Sequence, residues 1–150
     1  MIDIEVKGLI EAQRKIAQAA ADLHGRPMVD AMRDATLMVT RYARQDAPVD
    51  TGRLRASITP DVRVQDQTII GVVGSNVAYA PFMELGTRPH WVPAGALDVW
   101  ARRHGMTAFV VARAIARRGL AARRFLQGAV EKAADWIVAR FERAIKEIVE

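Results

Sequence analysis

A chain of 150 residues with 51% hydrophobic and 26% charged residues can build a packed core, which excludes wholesale disorder. It contains no cysteine, so disulfide scaffolds, thiolate metal sites and cysteine nucleophiles are also excluded. The formal net charge is +5, but residues 85–130 carry +7 and the remainder −2, and every base in 85–130 is arginine. The basic character therefore belongs to one segment, for which nucleic acid has to be considered as a partner.

The first third of the chain predicts one strand and two helices. Residues 2–6 alternate apolar and acidic side chains, which is the period of a half-buried strand. Apolar positions recur at helical spacing over 9–23, and His24, Gly25, Arg26 and Pro27 end that helix. A longer helix is expected over 27–45, because its apolar positions form one stripe. The stripe consists of Met28, Ala31, Met32, Ala35, Met38, Val39, Tyr42 and Ala43.

A hairpin and four further helices are expected after this. Two extended runs, 57–64 and 68–74, are joined by residues 65–67, and the second is β-branched enough for a central strand. A short helix is expected within 79–87, with Pro81 in its first turn and Gly86 at its end. The others are expected over 96–104, 108–118 and 127–149. The last is expected to bury Val130, Ala134, Ile137, Val138, Phe141, Ala144, Ile145 and Ile148.

These elements predict an α+β fold. A small, mostly antiparallel sheet packs against a long central helix and a long C-terminal helix, and an Arg-rich helical insertion follows the sheet.

Two carboxylates are candidates for hydrolase chemistry. Asp50, Thr51 and Gly52 match the tripeptide of aspartic proteases, but a helix precedes them where an apolar strand is needed, and Arg53 follows where a small residue is needed. Glu84 is flanked by apolar residues, although an N-terminal-turn contact or an interface salt bridge accounts for it as well. The tripeptide is therefore interpreted as a turn.

Nothing else in the sequence favours an enzyme. His24, His90 and His104 are too scattered for a metal site, and no Gly-rich phosphate loop or nucleophile elbow is present. We expect no catalytic residue, no cofactor and no metal. No stretch is long and apolar enough to span a bilayer, and the acidic opening residues do not form a secretory signal. The expectation is a soluble protein made in a reducing cytoplasm.

The arginines of the basic segment allow two partners. Arg113, Arg117 and Arg118 share one side of the 108–118 helix, and Arg123 and Arg124 follow it. These side chains could lie on phosphates, as in a nucleic-acid-binding module, or they could pair with acids on a neighbouring subunit. Composition alone leaves both possibilities open.

Three blocks in fixed order carry a family resemblance. They are residues 47–58 (APVDTGRLRASI), residues 79–87 (YAPFMELGT) and residues 123–126 (RRFL). The chain resembles, from about residue 26 to its end, the tail-completion (minor tail, head–tail joining) family of tailed bacteriophages and prophages. In that family's pattern proline stands at the position of Arg124. Residues 88–122 resemble the inserted segment of a subgroup.

The resemblance implies a non-enzymatic virion protein forming one domain over 1–150, with 88–122 as its insertion. Such a protein acts at the head-proximal end of the tail as a homo-oligomeric ring, by analogy a hexamer. Its implied partners are tail-terminator or tail-tube proteins, head-closure or connector proteins and, within the channel, DNA; no membrane is involved. Its implied location is the virion neck, reached from the host cytoplasm.

The resemblance also implies which residues serve assembly. Leu54 and Ile58 would anchor the turn of the first block, and Tyr79, Phe82 and Leu85 would bury one face of the short helix in the second. The full set of implied assembly residues is Pro48, Asp50, Thr51, Gly52, Leu54, Ser57, Tyr79, Ala80, Glu84, Gly86, Thr87 and Phe125.

Overall fold

The computed structural model describes residues 7–23 and 25–149, and its fold is α+β, which confirms the predicted class. The strand expected over 2–6 and the side chain of His24 lie outside the described residues. The helices are α1 (Lys7–Asp22), α2 (Arg26–Asp46), α3 (Arg53–Ser57), α4 (Ala80–Leu85), α5 (Asp98–Arg103), α6 (Ala108–Arg118) and α7 (Phe125–Val149). The strands are β1 (Ile58–Gln65) and β2 (Thr68–Ser75), and a 3-10 turn, Ala94–Leu97, precedes α5.

The first two helices form where the apolar spacing predicts them. In α2 the expected stripe is the inner face, since Ala31, Ala35, Val39 and Ala43 are buried. In α1 the helix is confirmed, but Ile16 from its apolar stripe is exposed. A correct helical period therefore does not by itself show that a stripe is covered.

Strands β1 and β2 form the expected antiparallel hairpin. Asp66 and Gln67 connect them, and both have positive φ, as a two-residue turn of the primed type requires. The prediction of β2 as a central strand is wrong: β1 is its one neighbour within the described part of the chain, and Ile70 and Val72 are exposed. The β-branched residues correctly indicated a strand here, but they did not indicate whether that strand is central and buried.

The C-terminal helix α7 forms as predicted, but the expected inner face is partly wrong. Ala144 is buried as predicted, but Val130, Ala134, Val138 and Ile145 are exposed, and Ala129 and Ala133, which were not on the predicted face, are fully buried. Alanine permits close approach of neighbouring backbone, so the tightest contacts of this helix involve its smallest side chains. Of the larger apolar side chains of the expected face, Ile137, Phe141 and Ile148 are half-buried, and only Val130, Val138 and Ile145 lie on the outer side.

The contacts divide the chain into two compact units. The first combines Met1–Met38, Pro60–Val72 and Ala133–Glu150. Inside it, Gly71 of β2 lies against the side chains of Met32 and Thr36 of α2. The half-buried Arg140 of α7 also donates to Asp34 of α2 over 2.7 Å.

The second unit combines Val39–Thr59 and Val73–Lys132. The guanidinium of Arg44, near the end of α2, donates twice to the carbonyl oxygen of Ile58 at the start of β1, over 3.1 and 2.7 Å. Lys132 of α7 pairs with Asp46 at the end of α2 over 2.5 Å. These contacts fix both sides of the first sequence block.

Candidate functional site

All three sequence blocks and all five singled-out arginines lie in the second unit. Blocks separated by about twenty to forty residues in the chain are therefore folded into one body. The contacts that join them involve few long side chains and many backbone groups.

Glu84 of the second block binds the start of α7. Its carboxylate accepts hydrogen bonds from the backbone N–H groups of Leu126 and Gln127, both over 2.9 Å. Two backbone bonds lie beside them, from Arg123 to the carbonyl oxygen of Met83 and from Arg124 to that of Glu84, over 2.8 and 3.1 Å. A negative charge at the first N–H groups of a helix satisfies donors that lack intrahelical partners and interacts favourably with the helix dipole. Glu84 therefore joins the second block to the third.

We predict that Glu84→Ala lowers the free energy of unfolding by about 1–2 kcal/mol, the range of lost helix caps. Glu84→Gln, which retains an oxygen acceptor but no charge, is expected to lose roughly half as much. Urea denaturation followed by circular dichroism measures both values. The control is Glu147→Ala, which removes an exposed carboxylate near the other end of the same helix. Equal effects of the Glu84 and Glu147 substitutions would show that Glu84 does not cap the helix.

The end of the second block pairs with the end of the insertion. Thr87 donates its N–H to the carbonyl oxygen of Leu120, and Leu120 donates its N–H to the hydroxyl of Thr87, both over 3.0 Å. Gly86 and Gly119 flank this pair with φ of 72° and 70°, and ψ close to ±180°. That combination is essentially restricted to glycine. We call this four-residue arrangement the stem.

The first block forms the expected turn. Gly52, with φ of 80°, precedes α3, and Leu54 and Ile58 are buried, which confirms them as the anchors of the turn. The hydroxyl of Ser57 lies 2.6 Å from that of Ser75 at the end of β2, and Ser75 accepts from the N–H of Val77 over 3.1 Å. This chain of hydrogen bonds leads from the first block to the residues just before the second.

Asp50 contacts the insertion. Its carboxylate lies 2.9 Å from the guanidinium of Arg103 in α5. Both side chains are partly exposed, so the pair adds little stability and serves mainly to position α5. The two hydrolase candidates thus each have a partner of another kind: Asp50 has a guanidinium and Glu84 has helix N–H groups.

The expectation that Tyr79, Phe82 and Leu85 are buried is wrong. Phe82 is 54% exposed and Leu85 is 76% exposed, and Tyr79 is exposed as well. The short helix α4 is instead fixed by buried Ala80, by the Glu84 carboxylate and by the turn at Gly86. Because these groups hold α4 in place, its large apolar side chains are not needed for packing and lie at the surface.

The third block buries Phe125 completely at the first position of α7. The preceding residue, Arg124, has φ of 48°. Proline is fixed near −65° and has no N–H to donate to Glu84, so it cannot occupy this position in this backbone. The departure from the family pattern therefore accompanies a local backbone that proline could not adopt, and Phe125 is still seated in the core.

An open groove of about 740 Å³ lies within the second unit, between the first block, α4 and the insertion. Its lining is mostly apolar. On one wall the ring of Trp100 in α5 stacks on that of His104, which directly follows α5, with 4.1 Å between the ring centroids. Representative lining residues are Leu54, Tyr79, Met83, Trp100, Ile115 and Arg123.

Arg113, Arg117, Arg118, Arg123 and Arg124 are all exposed, and within the described residues none forms an ion pair. They differ in this from Arg103, which is paired with Asp50. Their charges are therefore available to an external anion.

Over 7–23 and 25–149, no cluster of three or more histidine, aspartate or glutamate side chains could hold a metal ion. In the same part of the chain, no helix combines the length and the apolar character needed to cross a bilayer.

Comparison with protein families assigns the class. Residues 10–86, just over half of the chain, match the family described as "Bacteriophage HK97-gp10, putative tail-component". The chain belongs to this HK97-gp10-like family of phage tail components. The match includes the first block and all of the second except its last residue, Thr87. It begins earlier than the expected residue 26 and ends before the insertion and the third block. No curated protein and no solved structure matches the chain.

Several residues that build the site were not singled out from the sequence. Ser75, Arg103, Gly119 and Leu120 each contact a block residue that lies far from them in the chain. Gly119 carried a signal, since it ends a predicted helix. The others had none, because their importance depends on tertiary contacts.

Proposed function

We propose that this chain is a structural virion protein that completes the tail at its head-proximal end and helps join it to the DNA-filled head. The family membership makes it a phage tail component and points to a non-enzymatic role. Several copies form a ring, a hexamer by family analogy, in the virion neck. Its neighbours are tail-terminator or tail-tube proteins on one side and head-closure or connector proteins on the other.

One observation carries the proposal: the second block uses its small and polar residues for fastening and leaves Phe82 and Leu85 exposed. Adjacent exposed apolar side chains on a rigid support are typical of protein–protein contact sites. The support is rigid because Glu84, Gly86 and Thr87 tie α4 to α7 and to the insertion. The blocks thus act as one assembly element within a single domain, with 88–122 inserted.

The test uses a phage or prophage from which the gene is deleted, complemented from a plasmid. Deletion is expected to leave filled heads and tails unjoined in electron micrographs, and the wild-type gene is expected to restore joined particles. Phe82→Asp with Leu85→Asp is expected to fold but fail to restore them. The matched control is Val64→Asp, at an exposed valine of β1. Joined, infectious particles from the deletion strain would contradict the proposal.

A second candidate is nucleic-acid binding by Arg113, Arg117, Arg118, Arg123 and Arg124. The observation in its favour is that all five are exposed and lack an ion pair among the described residues. This function predicts duplex DNA affinity whose logarithm falls linearly with the logarithm of salt concentration, with a slope of about −0.9 per phosphate neutralised. Neutralising the five arginines to glutamine would flatten that slope. Wild-type affinity that does not depend on salt would contradict it.

A further inference from the structure

The groove of the second unit presents apolar surface to solvent. The first block contributes Val49 and Leu54 to its lining, α4 contributes Tyr79, and the insertion contributes Trp100 and Ile115. All of these residues belong to the same compact unit. Leu54 and Ile115 are buried, whereas Val49 and Tyr79 are 50% and 40% exposed. A cleft of about 740 Å³ with a mostly apolar lining has the size and character of a binding site.

The charged residues that line the groove leave it positive. Arg53, the first residue of α3, and Arg123, in the third block, both line it and are both exposed. Neither forms an ion pair with any residue over 7–23 and 25–149. Asp50 also lines the groove, but its carboxylate is paired with Arg103 over 2.9 Å. Two cations without a partner among the described residues therefore lie beside apolar surface.

One wall of the groove is aromatic and held in a fixed position. The imidazole of His104 stacks on the indole of the half-buried Trp100 with an interplanar angle of 19°. Its Nδ1–H donates to the carbonyl oxygen of Trp100 over 2.9 Å, which fixes the orientation of the imidazole ring. A wall that is already ordered loses little conformational entropy when a ligand packs against it.

These features define the chemistry of a ligand. We propose that the groove binds a segment of a neighbouring virion protein in which an apolar side chain is flanked by carboxylates. The apolar side chain packs against Met83 and Trp100, and the carboxylates pair with Arg53 and Arg123. A guanidinium can donate two parallel hydrogen bonds to one carboxylate, so each arginine can select an aspartate or a glutamate. The inference rests on the proposed function and names the chemistry of one partner that this function requires.

Duplex DNA fits the groove less well than an acidic protein segment does. Its phosphates would match Arg53 and Arg123, but its bases are stacked inside the helix and offer no apolar group to the lining. Val49, Leu54 and Met83 would then be covered by charged backbone instead of apolar partners. The unstacked bases of a single strand could stack on Trp100, so single-stranded DNA is included in the test.

The test selects ligands from a library of random peptides displayed on messenger RNA, with the full chain as bait. Enrichment is expected for sequences in which aspartate or glutamate flanks a large apolar residue. The most enriched peptide is then synthesised with a fluorophore, and fluorescence polarisation measures its affinity. Arg53→Gln with Arg123→Gln is expected to weaken binding about 10-fold or more, because two charge-assisted contacts are lost.

The matched control is Arg55→Gln with Arg88→Gln. It removes the same charge at two exposed arginines that do not line the groove. Because the control keeps both groove cations, its affinity for the peptide is expected to stay within about 2-fold of the wild-type value.

A second pair of variants tests the apolar surface. Val49→Asp places a negative charge in the groove at an exposed position and is expected to weaken binding of the same peptide about 10-fold or more, through like-charge repulsion. Val64→Asp, at a similarly exposed valine outside the groove, is expected to leave the affinity unchanged. Circular dichroism checks that all the variants are folded.

Several results would overturn the proposal. They are the absence of any enriched sequence, enrichment of basic or uncharged sequences, and equal loss of affinity in the test and control variants. If DNA of either form lost affinity in the Arg53 and Arg123 variant alone, the groove would be a nucleic-acid site. If that variant alone lost self-association in sedimentation velocity, a second copy would occupy the groove. Unjoined heads and tails in the deletion strain would still support the proposed function after any of these results, so the two can fail separately.

Discussion

Gly86→Ala is expected to lower the free energy of unfolding by about 4 kcal/mol, a large fraction of the stability of a chain of this size. Gly86 has φ of 72° and ψ of −176°, and a non-glycine residue held there costs of order 1–3 kcal/mol. A Cβ at this position would also lie 2.5 Å from the carbonyl oxygen of Leu120 and 2.8 Å from the backbone nitrogen of Ala122. Backbone atoms cannot turn away as a flexible side chain can, so the stem would have to open.

Substitutions at two glycines of the insertion distinguish the cost of backbone strain from the cost of the close contact. Gly105 has φ of 65° but nothing within 4 Å of its would-be Cβ, so Gly105→Ala should show backbone strain alone, about 1 kcal/mol. Gly95 has open space and no positive φ, and Gly95→Ala should be neutral or slightly stabilising. Urea denaturation of the three variants measures the series. A Gly86 variant no less stable than the Gly105 variant would show that the stem does not have the close contact described.

Phe125→Ala is expected to lower the free energy of unfolding by about 3–5 kcal/mol, the range for removing a buried aromatic side chain. Phe125 is fully buried at the first position of α7, so truncation leaves a cavity in the core at the start of that helix. For a chain of this length the midpoint of thermal unfolding should fall by on the order of 10 °C. Differential scanning calorimetry measures the shift.

The control for this prediction is Phe82→Ala, the same substitution at an exposed phenylalanine. It is expected to change the free energy of unfolding by no more than about 0.5 kcal/mol. Phe125→Leu, which keeps most of the volume, should cost less than about 1.5 kcal/mol. If the Phe125 and Phe82 truncations were equally mild, the third block would not be a packing anchor.

Helices and their ends could be predicted from the sequence wherever a single residue or the spacing of the apolar residues determines them. The apolar stripe of α2 indicated both the helix and its inner face, and Pro81 and Gly86 bounded α4. Which side chains of an element are buried in the folded protein could not be predicted in this way. In α7 the helical period was correct, but Val130 and Val138 lie outside because Ala129 and Ala133 permit the closest packing.

The blocks could be recognised from the sequence, but the contacts that their residues make could not be predicted from it. Glu84 binds N–H groups more than forty residues away, and no local pattern predicts such a contact. Tyr79, Phe82 and Leu85 resembled the buried face of a helix because they are the largest apolar residues there. The structure shows that fastening in this block depends on Ala80, Glu84 and Gly86 instead.

The stem brings Thr87 and Leu120 side by side, so the segment between them begins and ends at the same point of the second unit. A segment attached in this way can be lengthened, shortened or exchanged without displacing the chain on either side, as is typical of insertion sites whose ends lie close together. Six of the eight arginines that give 85–130 its charge lie in this segment. Replacing the segment between Thr87 and Leu120 would thus change the surface charge of the molecule. The first two blocks and the Glu84 cap would stay in place.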